Sequence, residues 1–296
     1  MATSKEIRNR IGSVQNTKKI TQAMQLVAAS RMKGFQRKAL SSRAYATDLL
    51  QLLNGRQDVL AETAYGEART EGKTLFVLLS SDKGLCGALN AKLFRALIQN
   101  PIWKSTPRDQ QMVITIGRKA AEAARNEGIE VIEAFEGIKE TFEPLVALDI
   151  VHRIVSHWTN ESCKAIHVIA PEYVNPFVFN TTVKQYLPFT EEMLKSHNLP
   201  TLGETATTDH LYEPSQERVI EALTLQVVQS LMTQSFFELK ASEYSSRMVA
   251  MKNATESAGE QVRSLTTVYN KARQATITQQ LAELAGAISA MEQTTL

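Results

Sequence analysis

The chain is poor in the residues that usually mark chemistry. It has two cysteines, Cys86 and Cys163, among 296 residues. They stand far apart and in no metal-ligand spacing, so neither a disulfide framework nor a zinc motif is indicated, and a reduced, intracellular protein is expected. No run of about 18 apolar residues is available to cross a bilayer. The most apolar segments, such as Leu75 to Leu79, suit a buried strand. Proline is missing before Pro101 and again from Ser215 to Leu296, so nothing at either end interrupts a helix. Positive charge is missing from the last 23 residues: after Arg273 only Glu283 and Glu292 carry charge. An isolated helix in water is rarely so uncharged, and something apolar is expected to surround this end. A hydrophobic content of 43% with 22% charged residues excludes disorder and membrane embedding.

What is present is unevenly spread. Residues 1–43 hold ten basic side chains, among them Lys5, Arg8, Arg10, Lys18 and Lys19, against one acid, Glu6, a net of +9. The rest carries 23 basic and 30 acidic residues, a net of −7. A basic, acid-poor N-terminus fits a transit peptide, a nucleic-acid arm, a shaft facing an acidic partner, or simply a solvated face.

The first 55 residues read as one helix, with Ser4 placed to cap it. Ile7, Ile11 and Val14 lie within about 60° on one face, and from Ile20 the apolar stripe is expected to move to the other side through Met24, Val27, Ala28 and Phe35. Residues 73–190 change character. KTLFVLLS, QMVITIG, IEVIEAF, KAIHVIAP and FVFNTTVKQYL read as strands, with helical segments Gly87 to Gln99, Arg118 to Glu127 and Leu145 to Trp158 between the first four. That alternation indicates a mostly parallel, Rossmann-like sheet with helices on its faces. Residues 191–214 are expected to form a loop leaving this domain.

From Ser215 onward the helical period returns. Ala241, Tyr244, Met248, Met251, Thr255, Ala258, Val262, Leu265, Tyr269, Ala272 and Thr276 recur at spacings of three and four, the signature of a coiled coil. Ile277, Leu281, Leu284, Ile288 and Met291 follow after a slip of one residue. A helix of about 75 residues would span roughly 110 Å, more than a compact domain contains. The chain offers its own partner, the N-terminal helix, and helices at opposite ends entering one middle domain pair antiparallel. The C-terminal helix is the longer, so its end is expected to project. The fold class is therefore α/β plus a long α-helical coiled coil, with a shaft helix at 1–55, an α/β domain at 73–190, a foot loop at 191–214 and a second shaft helix at 215–296.

Candidate sites are few. SSDKGLCGALN, Ser80 to Asn90, follows a strand and opens a helix, where phosphates often bind. Its glycines match neither the GxxxxGK[ST] loop nor GxGxxG, so a tight strand-to-helix turn is the better account. His152 and His157 are five apart and so lie about 140° apart on one helix; no metal site is expected. Met248 and Met251 read as packing residues. No catalytic, cofactor-binding or metal residue is assigned.

Three of these segments carry a family likeness. IRNRIGSVQNTKKITQAMQLVAASRMK, SSDKGLCGALN and ASEYSSRMVAMKNATESAGEQVRSLTTVYNKARQATITQQLAELAGA resemble the opening, the central turn and the C-terminal signature of gamma subunits of bacterial-type F-type ATP synthases. The likeness starts at about Ser4, which implies no cleaved presequence and a place on the cytoplasmic face of the bacterial inner membrane. It also implies a non-catalytic rotor shaft, turned by a proton-driven c-ring inside a ring of alpha and beta subunits and joined at its foot by epsilon. By the same likeness Arg247, Arg273, Gln274 and Thr278 match residues touching the beta catch loops, and Met24 matches one near acidic beta loops. Tyr212 and Glu213 match the foot that meets the c-ring and epsilon. Gln280 stands in that contact region where many relatives have Glu. An enzyme would need the missing phosphate loop. A nucleic-acid module would need aromatics among the basic residues, where residues 1–43 hold only Phe35.

Overall fold

The computed structural model describes residues 4–53, 63–141, 143–160, 162–190, 193 and 212–294, the side chains of 144 and 287–294 excepted. Most of the expected foot loop, 191–192 and 194–211, lies outside the described residues. Helix α1 (Ser4–Leu53) is followed by β1 (Lys73–Leu79), α2 (Leu89–Gln99) and a short α3 (Pro101–Ser105). A 3-10 turn at Arg108–Gln110 leads into β2 (Gln111–Ile116), α4 (Arg118–Asn126) and β3 (Val131–Phe135). Then come α5 (Pro144–Thr159), β4 (Cys163–Asn175), β5 (Val178–Leu187) and α6 (Gln216–Thr294), a helix of 79 residues. Ser4 is itself helical rather than the capping residue outside the first turn. The missed α3 is built by Asn100, whose side chain accepts from the backbone N–H of Ile102 and Trp103, and by Pro101 at the first helical position, where its missing N–H costs nothing.

Two compact units result: Met1–Val27 with Met248–Leu296, and Ala28–Arg247. The larger unit holds a five-stranded sheet in the order β3-β2-β1-β4-β5. β1 runs parallel to β2 and β4, and β2 parallel to β3, the pairing that crossover connections allow. β5 runs antiparallel to β4 because only two residues join them. Asn175 Oδ1 makes that turn by accepting from the N–H of Phe177 at 2.9 Å and Val178 at 3.0 Å. β4 consequently runs past Pro171, four residues further than its apolar run suggested.

Continuous apolar runs such as Leu75 to Leu79 are buried on both faces of the sheet, and Phe76, Ile114 and Trp158 centre the core. Gly117, between β2 and α4, has φ +99, and a Cβ there would sit 2.2 Å from the Ser80 carbonyl oxygen, so only glycine fits. The α6 segment of this unit is riveted to the sheet by buried polar contacts. Tyr186 Oη donates to the Leu231 carbonyl at 3.0 Å. Glu238 accepts from Tyr173 N–H at 3.2 Å and from Arg43 Nε at 3.0 Å, so its buried charge is paired.

The smaller unit is an antiparallel helix pair. Thr21 meets Thr255 and Lys18 lies over Gly259, while Ile7 shares a cleft with Leu265 and Ala272, so position rises on one helix as it falls on the other. Met251, Thr255, Ala258, Val262, Leu265, Tyr269 and Ala272 are all buried or half-buried. Thr276, expected as a further seam residue, is exposed, and so is every residue from Arg273 to Gly286. The seam ends at Ala272 because α1 ends there as well.

A further expectation is overturned. The apolar stripe of α1 does not change sides. Ile20 and Val27 are 61% and 55% exposed, and the buried line runs Ile7, Ile11, Val14, Thr21, Met24 and Ala28. A seam in a supercoiled pair keeps a spacing of about 3.5 residues, and the polar Thr21 fills the position that hydrophobicity alone gave to Ile20.

Candidate functional site

The turn after β1 is rigid from within. Ser81 N–H donates to Asn90 Oδ1 at 3.1 Å, Asn90 Nδ2 donates to Ser81 Oγ at 2.8 Å and to Cys86 Sγ at 3.3 Å, and Cys86 is buried. Asp82 Oδ1 accepts from Arg118 N–H at 3.0 Å and Gly137 N–H at 3.2 Å, tying this turn to those after β2 and β3. Leu85 takes the left-handed conformation, φ 62, and turns the Lys83 and Gly84 carbonyls toward α6. There Arg247 Nη2 donates to Lys83 O at 3.3 Å and Gly84 O at 3.1 Å. A turn that offers carbonyls to a guanidinium is the electrostatic reverse of a phosphate cradle, which offers N–H groups.

Arg247 is 8% exposed and is braced along its own helix. Glu243, one turn earlier, accepts from Arg247 at 2.8 Å and from Lys240 at 3.0 Å, so one buried carboxylate serves two cations. The Arg247 guanidinium lies 5.3 Å from the Tyr244 ring centroid, and Phe35 of α1 stacks on that ring at 5.6 Å. Tyr244 Oη donates to Glu140, which also pairs with Arg31. Burial, with the Glu140 bond second, pushes the Tyr244 hydroxyl up to about 12. Burial is also the largest influence on Glu140 and pushes it up, but Tyr244 and Arg31 together outweigh it and hold the carboxyl below its ordinary range. Nothing in the sequence pointed to Glu140, which is 104 residues from Tyr244. The Lys240, Glu243, Arg247 spacing of three and four was legible.

In the helix pair the Thr21 and Thr255 hydroxyls lie 2.7 Å apart, and each also reaches a carbonyl on its own helix, Lys18 at 3.0 Å and Met251 at 2.8 Å. One can donate across the seam while the other donates to its backbone, so neither is stranded. Ile7, Leu265, Val268, Ala272 and Ala275 line a cleft of about 720 Å³ edged by Arg10 and Lys271. Met24 is half-buried on this seam. Arg273, Gln274, Thr278 and Gln280 are exposed on α6 beyond it. Arg273 and Gln280, seven apart, share one side of the helix; Gln274 and Thr278 share another, about 120° away. Tyr212 is half-buried and Glu213 exposed just before α6. Arg247, Tyr212 and Glu213 belong to the larger unit and the other candidate residues to the smaller.

His167 is buried beside Phe76, and burial lowers it to about 4, so it stays neutral. Among the described residues no group of three or more His, Cys, Asp or Glu is placed to hold a metal, and no helix is long and apolar enough to cross a membrane.

The model of the ATP synthase family described as ATP-synt matches residues 3–291. The ATP synthase gamma chain of Coxiella burnetii is 35% identical over 297 residues, covering 99% of this chain and all of the relative. The chain belongs to the ATP synthase gamma-chain family. The gamma chain of Ruthia magnifica subsp. Calyptogena magnifica agrees, 32% identical over 98% of this chain and all of its own length. Solved structures share the fold at lower identity. A chain of the Euglena gracilis mitochondrial ATP synthase, in an OSCP/F1/c-ring structure, superposes with TM-score 0.68 at 18% identity, covering 97% of this chain and 94% of that one. One from the Tetrahymena thermophila central stalk and c-ring gives TM-score 0.60 at 23% identity over 79% and 99%. A gamma chain therefore carries the sheet and the helix pair described above.

Proposed function

We propose that this chain is the central rotor stalk of an F-type ATP synthase, carrying torque between a proton-driven c-ring and a catalytic ring of alpha and beta subunits. One observation carries the reading: α6 continues past the seam as an exposed, nearly uncharged helix bearing Ile277, Leu281 and Leu284. Apolar area left in water at that density calls for an apolar sleeve made by other subunits. In this reading 1–55 and 215–296 form the shaft, 73–190 the α/β domain and 191–214 the foot.

The shaft works by differential contact. An asymmetric helix pair presents a different face to each of three like catalytic sites as it turns, and each site's nucleotide affinity follows the face it meets. Arg247, Arg273, Gln274, Thr278, Gln280 and Met24 serve as contacts to the beta subunits, and Tyr212 and Glu213 to the c-ring and epsilon. The chain supplies no catalytic group and sits peripherally, on the cytoplasmic face of the inner membrane. Affinity purification of the tagged chain from its native membranes tests this: alpha, beta, epsilon and c subunits are expected with it. Calorimetry of the isolated chain with magnesium-ATP is expected to be silent. Micromolar nucleotide binding together with absence of those subunits would replace the stalk by an enzyme.

A further inference from the structure

The turn Ser80 to Asn90 has no task in the torque reading above, yet the structure gives it one. Its first half is tied down by Asp82 to the neighbouring turns, and its far end by Asn90 to Ser81. The part between has the Gly84 carbonyl held by Arg247 Nη2 and the Lys83 carbonyl shared between Arg247 Nη2 and Ser81 Oγ, and Cys86 lies just beyond, 2% exposed. Arg247 in turn owes its position to Glu243.

We propose that Arg247 is a latch closing the Cys86-bearing turn onto α6, so that any group competing for its guanidinium opens the turn while the sheet stays intact. The physical basis is the asymmetry of the hold. The sheet beneath rests on extensive apolar burial, which Cys86 joins, whereas Lys83 and Gly84 are hydrogen-bonded to α6, among the described residues, through one nitrogen of one side chain. Glutamate side chains compete well for a guanidinium because they accept two of its N–H groups at once, which a pair of carbonyls sharing one nitrogen does not. The second polar contact nearby, Tyr244 with Glu140 and Arg31, holds the turn after β3; it meets the latch through Asp82 and through the Tyr244 ring, whose centroid lies 5.3 Å from the Arg247 guanidinium.

The two buried cysteines supply the measurement, because Cys86 lies in the turn and Cys163 in the sheet at 0% exposure. Labelling of the folded chain by a thiol reagent, followed by mass spectrometry of each cysteine, reports opening of each place. Arg247→Gln is expected to speed labelling of Cys86 at least tenfold with Cys163 unchanged. Glu243→Gln, which keeps the side-chain volume but removes the charge that Arg247 and Lys240 share, is expected to give a rise at Cys86 of the same kind. Glu140→Gln, which touches Arg247 only through the Tyr244 ring and leaves its Glu243 brace in place, is expected to raise Cys86 labelling less than either and to leave Cys163 unchanged. Equal acceleration at both cysteines would mean that Arg247 merely stabilises the whole unit. An unchanged Cys86 in both the Arg247 and Glu243 variants would mean that the turn is closed by its own internal bonds. Either result overturns the latch.

Discussion

Lysine at both Ile277 and Leu284 separates a helix that is free in water from one that must be sheathed. In the isolated chain these side chains are 44% and 61% exposed, so little apolar contact is lost on substitution. Exposed positions of this kind change stability by about 0.5 kcal/mol or less, and lysine is a slightly better helix former than isoleucine. In a sleeve the outcome inverts. Each unpaired ammonium taken out of water costs several kcal/mol, and if relaxation leaves only about 2 kcal/mol for each, the pair loses about 4 kcal/mol. That is roughly a thousandfold in an equilibrium constant. Circular dichroism and thermal melting of the free double variant, beside the ATPase rate of complexes reconstituted with it, make the comparison. The melting curve is expected to stay within a degree or two of the parent while assembly or coupled turnover collapses. Equal damage in both would place these residues in this chain's own core. Damage in neither would leave the end in water and remove the main support for the stalk.

Further outcomes are specific. Arg8, Arg10 and Lys18 are exposed, and changing all three to Gln is expected to weaken assembly more at low salt than at high salt, since exposed pairs are worth at most about 1 kcal/mol each and are screened; a salt-independent effect, read from complex yield across ionic strengths, would mean packing. Leu265→Pro breaks α6 beside Ile7 in the seam, at about 3 kcal/mol or more, and is expected to abolish assembly scored by subunit content, whereas deleting residues 292–296 is expected to leave it intact. Gly117→Ala forces a Cβ against the Ser80 carbonyl at positive φ; left-handed strain of about 1–2 kcal/mol and overpacking of about 1–3 kcal/mol add. At roughly 2–4 °C per kcal/mol for a unit of this size, a calorimetric melt about 4–20 °C lower is expected, and an unchanged melt would refute the close approach.

Sequence alone determined whatever depends on local period and composition. Strict alternation of short β-branched runs with helical segments specified an α/β middle, and prolines confined to residues 101–214 left both ends free to be long helices. The heptads from Ala241 to Ala272 required a partner helix, and the loss of positive charge after Arg273 marked the end that outruns it. Tertiary structure decided what depends on neighbours distant in the chain. Ile20 looked like a seam residue and lies outside, because the supercoil's register carries Thr21 to Thr255 and a hydroxyl pair satisfies itself there. The reversal of β5 followed from a two-residue turn, and the occupation of Arg247 by Lys83 and Gly84 from a separation of more than 160 residues. The same holds for Glu140 beneath Tyr244. Periodicity reports which face of an element avoids water; it carries no record of which surface will cover that face, and polar partners on different elements leave no periodic trace.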